Sequence, residues 1–164
     1  MSGAGLIRAL DRSIAAILAV GRFLALPIAV LLFLQWPLRD LLRAYSREAN
    51  DVGQWVFALY VAMAVTAATR AKTHLATDVV ACRYSLHSRD LLWRLGVVFG
   101  LSPWAFFVLV ASKPIVASSI VGLEAFPDTA NPGYFLVKVA VWLLAGLMLG
   151  QSVVDAFGRR GERQ

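Results

Sequence analysis

The chain has 164 residues, of which 59% are hydrophobic and 16% charged, against about 45–50% and about 25% in ordinary soluble domains. Mean hydropathy is +0.68, which marks an all-α membrane protein and excludes collagen-like or disordered chains. The net charge of +6 would suggest nucleic acid in a soluble protein; on this chain it points to the anionic membrane face and to no nucleic-acid partner. A single cysteine, Cys82, excludes an intrachain disulfide framework and a cysteine-rich metal site.

Four apolar stretches follow in one integral-membrane domain, 1–164. The first runs over 14–36, interrupted by Arg22, Pro27 and Gln35. At about 1.5 Å per residue, roughly 20 residues cross a hydrocarbon core of about 30 Å, so it is long enough to span. Its length, and an end that lacks a small-x-small pattern, favour a span over a cleavable signal peptide. Between it and the second span, Leu38, Leu41, Leu42 and Tyr45 recur at helical spacing opposite Arg39, Asp40, Arg43, Arg47 and Glu48. This predicts an amphipathic interfacial helix over 38–48, lying in the headgroup boundary. The second span covers 52–69 and the third 95–112, with Pro114 to Leu123 as a tilted continuation or a re-entrant piece. The fourth covers 134–154, entered through Asn131-Pro132-Gly133.

Loop charges set the orientation. One face collects Arg8, Arg12, Arg70, Lys72, Arg83, Arg89, Arg94, Arg159, Arg160 and Arg163; the other has Arg39, Arg43, Arg47 and Lys113. Ten against four puts both termini in the cytoplasm. Arg22 lies inside the first run, where an uncompensated charge costs at least about 2.5–3.5 kcal/mol. Two readings are open for it: snorkelling to the inner face, or a polar contact with another subunit. Lys138, a turn into the fourth run, reads as snorkelling outward. Gly96-x-x-x-Gly100, Gly146-x-x-x-Gly150 and the alanines of span two allow close helix approach within the chain or against a partner.

No acidic residue falls at mid-depth, where ion-coupled carriers hold an ionisable group or unwound backbone. The histidines, His74 and His87, lack ligand-spaced neighbours, and no nucleotide, zinc-protease or nucleophile-elbow motif occurs. The sequence therefore offers no catalytic, cofactor-binding or metal residues, and the reading is of a protein that is not an enzyme. Ser102, Ser118, Ser119 and Ser152 read as hydrogen-bonding between helices or to their own backbone.

The most specific stretch is Ala67-Ala68-Thr69-Arg70-Ala71-Lys72-Thr73-His74-Leu75-Ala76-Thr77-Asp78-Val79-Val80. Read by itself, it is either a solvated basic collar on the inner face or a docking segment in which Asp78 pairs with His74 one helical turn away. An apolar helix ending in Arg-x-x-x-His, with Asp four residues later and two aliphatics, resembles the small membrane subunit of tripartite ATP-independent periplasmic (TRAP) transporters, the DctQ-like family. The resemblance covers about residue 31 to the end of span four, with motif residues over 50–80. Asp51 falls where that family has the second acid of a Trp-x-Glu-Glu-like entry to span two; Glu48 stands at the usual tryptophan position and Asn50 replaces the first acid.

The resemblance implies a scaffold subunit in the bacterial inner membrane, in sodium-coupled uptake of an organic acid. It implies two protein partners: a large membrane subunit holding the sodium and substrate sites, and a periplasmic substrate-binding protein. The subunit-contact residues on this reading are Arg22, Asp51, Arg70, Lys72, His74 and Asp78. The alternative is a self-sufficient homo-oligomeric four-span transporter or channel, which calls for a membrane-embedded acid. A haem-bearing redox subunit would need histidine pairs that the sequence lacks.

Overall fold

The computed structural model describes residues 3–41, 46–71 and 85–157. Among them all extended regular structure is helical. Four stretches are long and apolar enough to cross a membrane: Gly3–Gln35, Arg47–Arg70, Leu91–Val121 and Tyr134–Phe157.

The first stretch is two helices, α1 (Gly3–Phe23) and α2 (Ala25–Asp40), meeting at Leu24. Pro27 has no N–H to give the Phe23 carbonyl. The chain tightens there, with the Leu24 N–H bonded to the Gly21 carbonyl at 3.1 Å before Ile28 resumes α-helical bonding to Leu24. Helix α1 starts at Gly3, well before the sequence-predicted start at 14. Its seam, Ile7, Asp11, Ile14, Leu18 and Gly21, alternates steps of four and three, and Ile14, Leu18 and Gly21 are buried. Packing along that whole seam keeps the early turns helical.

The predicted interfacial helix over 38–48 is divided. Residues 38–40 continue α2 through Pro37, and Arg47 and Glu48 open α3 (Arg47–Arg70), while Leu42 and Tyr45 lie outside the described residues. Ser46 caps α3, its hydroxyl oxygen accepting the Ala49 N–H at 3.2 Å.

The third span is longer than the sequence suggests. Helix α4 (Leu86–Gly96), a π turn (Val97–Leu101) and α5 (Ser102–Val121) run on as one helix. Pro103 cannot donate to Phe99, and the turn before it widens so that the Ser102 N–H reaches Val97. Pro114 sits inside α5 without ending it, so the piece after Pro114 continues the span and does not re-enter.

Helix α6 (Tyr134–Phe157) packs against α1, α3 and α5. The central cluster is Ile14, Leu18, Met63, Leu147 and Val154, with Leu10, Leu59 and Leu143 against it. Gly150 lets α1 approach: a Cβ there would lie 3.3 Å from Ile14 Cδ1. Gly21 brings α1 closer still to Met63 on α3. Gly96, Gly100 and Gly146 have nothing within 4 Å of a built Cβ. The α5–α6 connection folds back on itself through a bridge between Ala125 and Pro132. Phe126, 4% exposed, is its plug, edge-on to Tyr134 at 5.5 Å between centroids.

Candidate functional site

Polar side chains gather in two layers near the bundle's ends. At the end away from the α5–α6 connection, Arg70 closes α3 and pairs with Asp11 on α1 at 2.8 Å. The same guanidinium donates to Gln151 Oε1 at 3.4 Å, and Gln151 Nε2 donates to Asp155 Oδ1 at 3.1 Å. Gln151 is fully buried and Asp155 nearly so. A carboxamide without partners costs roughly 4–8 kcal/mol in a medium that cannot hydrogen-bond, so this chain of bonds is what permits Gln151 inside an apolar helix. Next to it, the Thr69 hydroxyl donates to the Val65 carbonyl at 3.0 Å and lies 3.5 Å from Met148 Sδ, and Arg94 donates to the Ala156 carbonyl at 3.3 Å. One turn deeper, Ser102 Oγ lies 2.9 Å from Ser152 Oγ and 3.0 Å from the Val97 carbonyl, at the π turn.

The other layer sits at the α5–α6 connection. Asp51, on α3 and 6% exposed, accepts the Thr129 hydroxyl at 2.5 Å. Lys138 reaches toward this end and pairs with Glu124 at 2.5 Å, 5.5 Å from the Tyr134 ring centroid. Glu124 also accepts the Ser119 hydroxyl. The Lys138 ammonium first, and then the Ser119 hydroxyl, hold the Glu124 carboxyl below the ordinary carboxylate value. Ser118 donates to the Ile115 carbonyl.

Along α3, Asp51 and Arg70 are nineteen residues apart, about 28 Å of helix, close to the roughly 30 Å of a hydrocarbon core. Between the layers the polar groups bond within their own helix or to a neighbouring backbone. Thr66 is fully buried but returns its proton to the Ala62 carbonyl at 2.9 Å, and the Trp142 indole donates to Leu109 at 3.2 Å. Lys113 lies inside α5, not between the spans, and the Trp142–Leu109 bond sets it level with Lys138.

Arg22 is different. Gly21 abuts Met63, seven residues before Arg70, so Arg22 lies about 10 Å of helix from the nearer polar layer. It is exposed, as are Phe23 and Leu26 around it, and has no ion pair or hydrogen bond among the described residues.

Of the sequence-predicted contact residues, Arg70 and Asp51 are engaged inside the bundle in opposite layers, and Arg22 faces outward. Lys72, His74 and Asp78 lie outside the described residues. No group of three or more potential metal ligands occurs among the described residues. Sequence reasoning missed Asp11, Gln151 and Thr129. Two of them carried a signal: Asp11 falls on the α1 seam, and Gln151 is a carboxamide within an apolar span, four residues before Asp155. No family model, curated protein or solved structure matches the chain.

Proposed function

We propose that this protein is the small scaffold subunit of a TRAP-type secondary transporter, bracing a larger membrane subunit that holds the sodium and substrate sites. A periplasmic binding protein delivers an organic acid to that assembly. The observation that carries the reading is Arg22, a permanent cation on an apolar outer surface with no partner among the described residues. Left in lipid it costs at least about 2.5–3.5 kcal/mol. A carboxylate on an adjoining subunit removes that cost, which makes Arg22 an assembly contact. Gly96 and Gly100, with open space above them, offer a neighbouring helix a close approach.

The Asp11–Arg70–Gln151 bonds fix the end of α3, from which Lys72, His74 and Asp78 follow as a docking segment. On this reading both termini are cytoplasmic, in a bacterial inner membrane. The charged residues at the facing ends of α2 and α3, Asp40, Arg47 and Glu48, set the subunit's depth at the opposite interface on this reading. The test is purification of the tagged chain from native membranes, then reconstitution. A larger multi-span polypeptide accompanies the wild-type chain, and sodium-coupled uptake requires both. Arg22→Glu cuts the recovered partner by about tenfold or more, equivalent to about 1.4 kcal/mol or more of contact energy. Coupled uptake by the chain alone, or unchanged recovery with Arg22→Glu, overturns the proposal.

A further inference from the structure

The α2–α3 packing opens at the end where the two helices are joined. Helix α2 presents Ile28, Leu31, Leu32 and Gln35, and α3 presents Asn50, Gly53, Gln54 and Phe57, each set on one helical face by its spacing. Together they enclose a groove of about 150 Å³. Gly53 leaves one wall missing, since a Cβ built there meets nothing within 4 Å. Because the helices run antiparallel, Gln35 and Asn50 share the mouth, and Ile28 and Phe57 lie deeper. A second cleft of about 320 Å³ is lined by Arg47, Asn50, Asp51, Asp128 and Thr129, so the two meet at Asn50.

Polarity is graded along this path. The deep end is aliphatic and aromatic, the mouth carries carboxamides, and the cleft beyond carries charges of both signs. Asp51 is satisfied by Thr129. Arg47 and Asp128 line one cleft and form no ion pair with each other; the Arg47 charge also acts on the neighbouring Glu48 carboxyl. An occupant complementary to all three zones is apolar at one end, accepts hydrogen bonds in the middle, and carries an anion and a cation beyond.

We propose that this path binds one phospholipid with a zwitterionic, primary-ammonium headgroup. One acyl chain lies along Leu31, Leu32 and Phe57, and the ester oxygens accept from the Gln35 and Asn50 carboxamides. Arg47 takes the phosphate, and Asp128 takes the ammonium, which has N–H donors that a choline headgroup lacks. The site is made of this chain's own residues and does not rest on what the protein assembles with.

The test is native mass spectrometry of the full-length, delipidated protein after adding ethanolamine, choline or glycerol phospholipids with identical acyl chains. The ethanolamine lipid gives a one-to-one adduct at concentrations about tenfold below the others. Gly53→Leu fills the groove and abolishes the adduct, and Asp128→Asn removes the headgroup preference; unchanged thermal midpoints show that both variants remain folded. A photo-crosslinking residue at Gln54, irradiated in cells, gains the mass of a phospholipid. Equal binding of all three headgroups, an adduct indifferent to Gly53→Leu, or cross-linking at Gln54 only to a polypeptide each overturns the proposal.

Discussion

At Gly21 one hydrogen atom sets the separation of two spanning helices. A Cβ there would sit 2.7 Å from Met63 Sδ and 2.8 Å from Met63 Cβ. The thioether can swing aside, but the Met63 Cβ is fixed to the α3 backbone, so α1 itself must retreat. Gly21→Ala is expected to destabilise the bundle by about 1–3 kcal/mol, the usual cost of overpacking. Adding Met63→Ala on the same chain should recover little of the loss, because alanine keeps the Cβ that α1 must clear. Thermal unfolding of the purified protein in detergent checks both, and an unshifted midpoint for Gly21→Ala sinks the argument. Gly21 was hard to find from sequence, because small-residue spacing drew attention to Gly96, Gly100, Gly146 and Gly150. Of those four, Gly150 alone meets another helix. Spacing says where a close approach is permitted, and only the three-dimensional crossing says where it happens.

At the scale of elements, boundaries diverged from the sequence wherever a backbone rule met tertiary packing. The two prolines of the third span were legible as points of stress. That Pro103 would be absorbed by a π turn, with Ser102 bonded to both Val97 and Ser152, depended on α6 lying alongside. The α5–α6 connection makes a sharper case. Its polar and turn-forming residues marked a loop, but nothing in their order gave the Glu124–Lys138 pair or the burial of Phe126. Because Glu124 titrates below its ordinary value of 4.5 in the folded protein, the pair's stabilisation is complete above that value. It is lost as pH falls through the lowered folded value. Hydrogen exchange at the Phe126 and Gly133 amides, which donate to Asn131 and Glu124 carbonyls across the connection, should report this. Relative to Glu124→Gln at the same pH, the wild type should be better protected at neutral pH and lose its advantage on acidification. Equal protection at pH 7 would leave the ion pair without a role in holding the connection.

At the scale of the molecule, the four helices among the described residues that are long and apolar enough to cross a membrane were readable from hydropathy and length, since the bilayer imposes both. The absence of acidic residues from mid-depth was readable too and holds among the described residues, whereas the outward direction of Arg22 required the α1 seam to be seen packed. What sequence could not supply was the pairing inside each polar layer, because Asp11, Arg70 and Gln151 come from three helices far apart in the chain. Loop charges predict that the α5–α6 connection faces the exterior, opposite both termini. Asp128→Cys in a Cys82→Ser background should therefore react with a membrane-impermeant maleimide in intact spheroplasts. Labelling only after lysis would invert the topology.

The joint at Leu24 divides the first crossing into halves held differently. Below it, α1 is tied by Gly21, Ile14 and Asp11 to two other helices; above it, α2 touches α3 along an incompletely filled face. Such an arrangement confines compliance to one leaflet. When the surrounding bilayer thins or thickens, α2 can change its tilt to absorb the mismatch, and the geometry around Arg70 is spared.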